Sequence, residues 1–197
     1  MTGSFSPARN RFMPLRVIAG QLRGKRLVTV PGRETRPTAD RTRESIFNIL
    51  GSAVRHAHVL DLFAGTGAFG IEALSRGADF ALFIDNGLEA LGVLNRNIHS
   101  CRLADRSRVL RWDAAANLNC LADGDRKFDL VFLDPPYGTG MIAPALRHLA
   151  DSRCLADQAR IVVEHASGEA VGQTPPLHLQ DQRRYGKTLV SFLTCVL

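Results

Sequence analysis

From residue 58 onward, short apolar runs alternate with longer stretches in which apolar residues recur every three or four positions. Runs of the first kind are typical of buried parallel strands, and stretches of the second kind are typical of amphipathic helices. The predicted strands span 59–63, 80–84, 109–112, 128–133 and 161–164; the predicted helices span 68–76, 88–100, a stretch that begins at 114, and 141–150. This alternation predicts an α/β fold with a doubly wound, mostly parallel sheet.

The C-terminal end departs from the alternating pattern. Two strand-like runs, at 177–184 and 188–196, follow each other with only Tyr185-Gly186-Lys187 between them. Such closely spaced strands predict an antiparallel hairpin, which closes one edge of the sheet and brings it to seven strands.

The N-terminal end is also different. Strand-like runs at 16–20 and 25–30 predict a β-hairpin, and Thr38 is a candidate cap for a helix from Ala39 to about Leu50. The chain is therefore expected to consist of a flexible tail (1–14), an appended basic hairpin and helix (15–50) and the main domain (51–197).

Positive charge is concentrated in this N-terminal part. Residues 1–43 hold ten Lys or Arg and two acids, a net charge of +8, whereas the whole chain carries +6 and the remainder therefore −2. A basic front end on a nearly neutral body favours a polyanion partner, because Lys and Arg contact phosphates. A solubilising surface is the alternative. The hairpin residues expected to contact a phosphate backbone are Arg16, Arg23, Lys25 and Arg26.

Composition excludes several classes of protein. The 197 residues suffice for one α/β domain with a sizeable core, and no apolar run reaches the 18 residues of a membrane-spanning helix. The four cysteines form no CxxC pair, which argues against a zinc site and against a disulfide framework. The histidines show no metal-ligand spacing, so no metal is expected, and the expected compartment is the cytoplasm.

A glycine-rich loop joins the first predicted strand to the helix after it. Its glycines allow a ligand to approach the backbone closely, and the helix start offers unpaired amides. Asp85, at the end of the second strand, is placed to hold ribose hydroxyls. Together these features predict an adenosine-type cofactor, either a dinucleotide or S-adenosylmethionine. The loop residues expected to contact it are Phe63, Ala64, Gly65, Thr66 and Gly67.

Two further acids bear on the choice of cofactor. Asp61 precedes the first loop glycine by four residues, where a carboxylate is unhelpful beside pyrophosphate but able to bind the ammonium of a methionine moiety. Asp113 follows the third strand and is placed to accept a hydrogen bond from an adenine amine. A solvated strand end is the alternative for Asp61, and a helix cap is the alternative for Asp113.

The fourth predicted strand ends in Asp134-Pro135-Pro136-Tyr137. Consecutive prolines stop the strand in a stiff turn beyond its carboxyl end, where open α/β sheets bind ligands. The Asp134 carboxylate and the Pro135 carbonyl are a pair of acceptors able to grip the two hydrogens of an exocyclic base amine. That grip orients the nitrogen lone pair, and the Tyr137 ring is available to stack on the extruded base. A proline-stiffened loop without chemistry is the alternative.

Two short segments, Asp61–Gly67 and Asp134–Tyr137, resemble the cofactor and catalytic motifs of amino-methyltransferases. More specifically, Arg16–Gly20, Gly24-Lys25 and above all Arg36–Leu50 resemble the 16S ribosomal RNA guanine-N2-methyltransferase family. This resemblance implies a Rossmann-like class I methyltransferase fold, S-adenosylmethionine as cofactor, and a guanine of small-subunit rRNA as the target. It extends from about residue 15 to the C-terminus.

The resemblance also assigns roles to individual residues. It implies that Arg36, Thr38, Arg41 and Arg43 line the cleft for cofactor and RNA, with Arg36 and Thr38 on the cofactor side. The family often has a second acid two residues after the position of Asp85, where this chain has Gly87. The expected partner is 16S rRNA or the assembling 30S subunit, and the expected state is a monomer without metal or membrane contact.

Three other functions are compatible with the motifs. A DNA adenine-N6 methyltransferase shares the turn but usually begins it with Asn and adds a target-recognition region. A protein amide methyltransferase also uses such a turn, although the basic N-terminal part would then have no use. A non-catalytic RNA-binding module would not need Asp134 and Tyr137 beside a cofactor loop.

Overall fold

The computed structural model of the chain describes residues 14–31, 37–122 and 126–197, with the backbone alone for residues 37–39. The predicted tail therefore lies almost wholly outside the described residues, as do Arg36 and the side chain of Thr38. The helices are α1 (Pro37–Leu50), α2 (Ala68–Ser75), α3 (Leu88–Ser100) and α4 (Ile142–Asp151). The strands are β1 (His58–Leu62), β2 (Phe80–Asp85), β3 (Ser107–Arg111), β4 (Phe128–Leu133), β5 (Leu155–Ala166), β6 (Leu177–Tyr185) and β7 (Thr188–Cys195).

These strands form one seven-stranded sheet in the order β3-β2-β1-β4-β5-β7-β6. The first five run parallel, and β7 is antiparallel to both of its neighbours. The α/β fold predicted from the strand–helix alternation is thus confirmed, including the antiparallel C-terminal hairpin.

The sheet separates two hydrophobic clusters. On one face, residues such as Phe132 and Val162 pack with α1, α2 and α3. On the other face, neighbours such as Val131 and Ile161 pack with α4. Side chains two residues apart on a strand face the same layer, and adjacent ones face opposite layers. This alternation decides which side chains at the strand ends face α1.

The N-terminal segment joins the first cluster through Leu15, Val17 and Leu27. The predicted hairpin forms but is shorter than expected: Arg16 pairs with Arg26, and the Val17 and Leu27 amides donate to the Lys25 and Leu15 carbonyls, each at 2.9 Å. The reason is that nearby amides bond to side chains of the main domain instead of to a partner strand. The Ile18 and Ala19 amides donate to the fully buried Glu72, at 2.7 and 3.0 Å; the Leu22 amide donates to Ser75; and the Val28 amide donates to Asn97.

Three other boundaries differ from the prediction. Helix α1 begins at Pro37, which suits the first helical position, so Thr38 lies inside the helix and does not precede it. Strand β5 is much longer than 161–164. The helix predicted from residue 114 does not form; residues 114–116 make a turn, and a short 3-10 helix follows at Asn119–Leu121.

Side-chain hydrogen bonds explain the missing helix. The Asp113 carboxylate accepts the amides of Ala115 and Ala116, at 3.0 and 3.3 Å. The Trp112 indole donates to the carbonyl of Asn117 at 3.0 Å. Local bonds of this kind compete with the helical ladder, and here they hold the segment as a turn.

Candidate active site

The four central strands β2, β1, β4 and β5 bring their carboxyl ends to the same edge of the sheet. The chain order reverses between β1 and β4, which is the point where open α/β sheets form a ligand crevice. The glycine loop follows β1, and the Asp134–Tyr137 turn follows β4. The Asp134 amide lies 3.4 Å from the carbonyl oxygen of Leu62, the last residue of β1. The structure therefore brings the two predicted motifs together.

The glycine loop has an unusual backbone. Phe63, Gly65 and Gly67 all adopt positive φ, at 59°, 54° and 78°, a region that glycine enters without strain. A Cβ on Gly67 would lie 2.4 Å from Leu94, whereas a Cβ on Gly65 would meet nothing closer than the Phe63 carbonyl at 3.9 Å. Gly67 therefore serves packing, and the surface at Gly65 is open to a ligand.

Asp85 connects the glycine loop to the β2–α3 loop. One carboxylate oxygen accepts the Gly65 amide at 2.8 Å, and the other accepts the Gly87 amide at 2.8 Å. A carboxylate oxygen has two lone pairs, so each oxygen keeps one acceptor position. The predicted place for ribose hydroxyls is thus held rigidly beside the loop, at the end of the second strand.

Asp61 is not a solvated strand end. Its side chain is buried, and one oxygen accepts the Gly70 amide of α2 at 2.9 Å. Burial raises the pKa of Asp61 to about 8; the Gly70 amide lowers it, and the charge of Asp85 raises it further. A Cβ on Gly70 would lie 2.3 Å from the Phe83 ring, so glycine is required for α2 to come this close. A buried carboxylate with so little compensation fits a cationic ligand group.

These residues fit an adenosine cofactor with a cationic amino-acid end. The surface at Gly65 is open, Asp85 keeps acceptor positions beside it, and Asp61 is a buried carboxylate near the end of β1. Asp113 lies beyond β3, exposed, with one carboxylate oxygen already bound to the amides of its own turn. The predicted hydrogen bond from the adenine amine would therefore be accepted by the other carboxylate oxygen of Asp113.

The Asp134–Tyr137 turn is fixed by several bonds. The Thr139 hydroxyl donates to the Pro136 carbonyl at 2.6 Å, and the Gly138 amide donates to the Glu169 carboxylate at 3.0 Å. Pro135 is buried, whereas Pro136 is exposed. The turn is therefore rigid, as its two prolines predict.

Tyr137 has a half-exposed ring and a fixed hydroxyl. The hydroxyl donates to Glu164 at 2.9 Å and lies 3.1 Å from the hydroxyl of Thr188. Burial, followed by the charge of Glu164, raises the pKa of Tyr137 strongly, and the charge of Asp134 adds to the effect. Both carboxylates therefore lie close to one phenol, and Tyr137 is neutral at every physiological pH.

The predicted RNA-binding residues do not all lie on the surface. Arg16, Arg23, Arg26 and Arg41 are exposed, and Lys25 is half-buried. Arg43 is only 4% exposed; its guanidinium donates to the Arg16 carbonyl at 2.7 Å and to Asp40 at 3.0 Å. The contact predicted between Arg43 and RNA would require these internal bonds to break.

The exposed cations form a strip along the α1–α2 face. Arg16 lies beside α1 through its carbonyl, and the turn containing Arg23 packs on Ser75, the last residue of α2. Helix α2 spans eight residues, or about 12 Å, and it runs away from the active-site crevice. The strip therefore begins near the crevice and extends towards the amino ends of the parallel strands.

Two polar residues at or near the site were not predicted from the sequence. Glu164 belongs to β5 and stands beside the turn. The sequence does contain a signal for this position. Glu164 is a lone acid directly after the apolar run 161–163, just as Asp134 is a lone acid directly after the apolar run 130–133. Asn97 is fully buried, and its amide donates to the carbonyls of Val28 and Thr66 at 3.0 and 2.9 Å. An Asn within a helix gives no such signal.

The described residues hold neither a metal-ligand cluster nor a membrane-spanning helix. In residues 14–31, 37–122 and 126–197, no three His, Cys, Asp or Glu side chains stand together as metal ligands. Within the same ranges, no helix is long and apolar enough to cross a membrane.

The sheet order, the antiparallel last strands and the crevice at the β1–β4 reversal define a class I methyltransferase fold, whose cofactor is S-adenosylmethionine. The chain belongs to the family described as Conserved hypothetical protein 95, which matches residues 15–194. The family resemblance drawn from Arg36–Leu50 is thereby confirmed.

Named relatives agree with this placement. The Ribosomal RNA small subunit methyltransferase D of Escherichia coli K12 is 38% identical over 150 residues, covering 76% of this chain and 74% of its own. A provisionally assigned rRNA methyltransferase of Bacillus subtilis is 38% identical over 151 residues, covering 77% and 82%. A solved structure of a provisionally assigned Escherichia coli methyltransferase superimposes with a TM-score of 0.81 at 32% identity, covering 92% of this chain and 98% of that one.

Proposed function

We propose that this protein transfers a methyl group from S-adenosylmethionine to the exocyclic N2 amine of a guanine in 16S rRNA. The observation that carries the proposal is the rigid Asp134–Tyr137 turn, which stands beside the glycine loop at the β1–β4 crevice. The name of the Escherichia coli relative supports rRNA of the small subunit as the substrate. The guanine and its N2 atom come from the family resemblance and from the chemistry of the turn.

The turn supplies what an amine nucleophile needs. The lone pair of an exocyclic base amine is conjugated into the ring, so the nitrogen is a weak nucleophile. Acceptance of its two hydrogens by Asp134 and by the Pro135 carbonyl favours a pyramidal nitrogen and directs the lone pair towards the methyl donor. The two prolines keep these acceptors in place, and the neutral Tyr137 ring stacks on the flipped base.

The cofactor side of the crevice is built from residues of the first three strands. Bound there, S-adenosylmethionine supplies an electrophilic methyl group on a sulfonium. Asp85 receives the ribose hydroxyls, Asp61 receives the ammonium, and Asp113 receives the adenine amine. The loop from Phe63 to Gly67 lies against the ligand, and the family resemblance adds Arg36 and Thr38. Exclusion of water from the crevice favours a reaction in which positive charge disappears.

The exposed cations on the α1–α2 face hold the RNA. Arg16 lies beside α1, and Arg23 and the half-buried Lys25 extend the strip along the backbone of the same RNA. Phosphate contacts of this kind position a nucleic acid without reading its sequence. The base is therefore selected inside the crevice. We propose a monomer that acts in the cytoplasm on 16S rRNA or on the assembling 30S subunit.

Transfer of tritiated methyl groups tests the proposal directly. The protein is incubated with labelled S-adenosylmethionine and, separately, with 16S rRNA, duplex DNA and a protein pool. Label is expected in rRNA alone, and digestion of that rRNA to nucleosides is expected to give N2-methylguanosine. Label in adenine of DNA or in a protein amide would overturn the proposal, as would a different methylated nucleoside in rRNA.

A further inference from the structure

Glu164 stands beside Asp134 on the neighbouring strand. Leu133 of β4 pairs with Val163 of β5 in parallel register, so Asp134 and Glu164 are the next residues along the two chains. Phe132 and Val162 belong to the cluster under α1. Because side chains alternate, Asp134 and Glu164 continue that row and face the same side of the sheet.

The position of the Glu164 side chain is fixed. One carboxylate oxygen accepts the Tyr137 hydroxyl at 2.9 Å, so the carboxylate lies at the edge of the ring proposed to stack on the base. Among the residues that the structure describes, no other group donates a hydrogen bond to this carboxylate. It therefore keeps acceptor capacity next to the proposed base pocket.

Helix α1 places the guanidinium of Arg43 close enough to Glu164 for its charge to act on that carboxylate. Phe47 packs on Phe132 at 5.4 Å between ring centroids, and Arg43 lies one turn earlier on the same helix face. Its guanidinium is held by Asp40 and by the Arg16 carbonyl, and its Nε is buried without a hydrogen-bond partner. Burial raises the pKa of Glu164, while the Tyr137 hydroxyl and the charge of Arg43 oppose that rise. Those two groups favour the ionised carboxylate, which is the accepting form.

The Watson–Crick edge of guanine carries hydrogen-bond donors that two neighbouring carboxylates can accept. Its N2 amine and its N1–H are adjacent donors, and a base whose amine is held by Asp134 turns N1–H towards the next acceptor. We propose that Glu164 accepts the N1–H of the target base and so selects guanine. This inference rests on the proposed function and names the residue that reads the base. A purine without a hydrogen on N1 presents a nitrogen lone pair at that position. The lone pair and the carboxylate repel each other, because both are hydrogen-bond acceptors.

Two substrate analogues separate reading of N1–H from reactivity of the amine. 2-Aminopurine and 2,6-diaminopurine keep the 2-amino group but have no hydrogen on N1. Each is placed at the target position of a short rRNA fragment, and kcat/KM is compared with that of the guanine fragment. The wild-type protein is expected to prefer guanine by at least tenfold, because a charged acceptor is left facing a lone pair. Equal use of guanine and both analogues overturns the inference.

The Glu164→Gln variant is the second arm. Glutamine keeps an oxygen for the Tyr137 hydroxyl and offers an amide donor to an unprotonated N1. The ratio of kcat/KM for guanine to that for 2-aminopurine is expected to fall about tenfold or more. The Thr188→Val control loosens the same hydroxyl of Tyr137 but leaves the carboxylate, so it should slow both substrates and keep their ratio. An unchanged ratio in Glu164→Gln would mean that Glu164 only anchors Tyr137.

The design distinguishes failure of this inference from failure of the proposed function. If the wild-type protein methylates no guanine N2 in any rRNA fragment, the proposed function fails and the inference falls with it. If guanine is methylated but neither comparison shows a preference that depends on Glu164, only the inference fails. Cofactor affinity and thermal midpoint of the Gln variant, expected to match the wild type, establish that it is folded.

Discussion

Asp61 is expected to couple the stability of the protein to cofactor binding. Its pKa, ordinarily 3.8, rises to about 8 in the folded protein, because its burial is balanced by only one amide. Between these two values the folded, cofactor-free protein holds a proton that the unfolded chain releases. Stability therefore falls as pH rises from about 4 to about 8, with a contribution of about 1.4 kcal/mol per pH unit from this group.

The Asp61→Asn variant removes this dependence. Asparagine keeps an oxygen for the Gly70 amide but does not ionise, so the variant is expected to be more stable than the wild type at pH 8 and above. Urea unfolding at pH 5, 7 and 9 measures the difference. Parallel curves for the two proteins across that range would contradict the assignment of the raised pKa to Asp61.

If Asp61 binds the cofactor ammonium as proposed, it does so in its ionised form. Affinity for S-adenosylmethionine is therefore expected to rise with pH towards 8, and binding near pH 7 should release a proton. Calorimetry in phosphate and in Tris, two buffers with different ionisation enthalpies, counts the protons. In Asp61→Asn the proton count should fall to zero and the affinity should decrease.

Asp134 is expected to serve transfer and not cofactor binding. Asp134→Ala should lower kcat by roughly 100- to 10,000-fold, because the variant keeps only one of the two amine acceptors, while cofactor affinity stays nearly unchanged. Asp151→Ala, at the exposed end of α4, is a control with the same change in charge. Single-turnover methyl transfer measures the effect, and near wild-type activity in Asp134→Ala would remove this carboxylate from the mechanism.

At the scale of elements, α3 links the N-terminal segment to the glycine loop. Asn97 accepts the Val28 amide at 2.8 Å and donates to the Val28 and Thr66 carbonyls. One buried side chain thus holds both the basic segment and the loop after β1. Movement of the basic segment is therefore expected to disturb the glycine loop, and movement of the loop is expected to disturb the segment.

Asn97→Ala tests this link. Three part-buried backbone groups are left without this partner, so the free energy of unfolding is expected to fall by roughly 2–4 kcal/mol, and cofactor affinity should fall as well. Asn95→Ala is the matched control, because Asn95 lies exposed on the same helix and bonds only the Leu91 carbonyl. Equal losses of stability in the two variants would mean that the link contributes nothing.

The strands of the sheet core were predictable from the sequence, because apolar runs such as 128–133 are buried on both faces. The glycine loop and the proline turn were predictable, because each restricts the backbone through its own residues. The region after Asp113 was not, because local side-chain bonds outweigh helix propensity there.

The N-terminal hairpin is shorter than predicted for another reason. Its strand-like pattern is real, but the amides of Ile18, Ala19 and Val28 find their partners in α2 and α3, more than 50 residues away. Local pattern carries no information about such distant partners. The same holds for Arg43, whose burial depends on contacts between α1 and the segment around Arg16.

At the scale of the whole molecule, exposed arginines lie on both faces of the sheet. The basic strip lies on the α1–α2 face, whereas Arg147 and Arg153 are exposed at or just after α4, on the opposite face. If RNA lies along the strip, Arg23→Glu with Arg26→Glu should weaken binding and lower the salt slope by roughly one unit for each phosphate that is no longer neutralised.

The matched control carries the same change in charge on the other face. Arg147→Glu with Arg153→Glu should leave the slope of log affinity against log salt at its wild-type value. Titration of a fluorescent rRNA fragment at several salt concentrations gives both slopes. Equal slopes in the two double variants would show that net charge, and not the strip, governs binding.

The hydrogen bonds of Glu72 with Ile18 and Ala19, and those of Asn97 with Val28, also bear on synthesis of the protein. The basic segment leaves the ribosome before α2 and α3, because the side chains that shape it are added 53 to 69 residues later. A nascent chain that stops before α3 therefore lacks the Asn97 side chain that holds Val28. If the basic segment binds RNA as proposed, its folded surface therefore forms only after α2 and α3 have been synthesised.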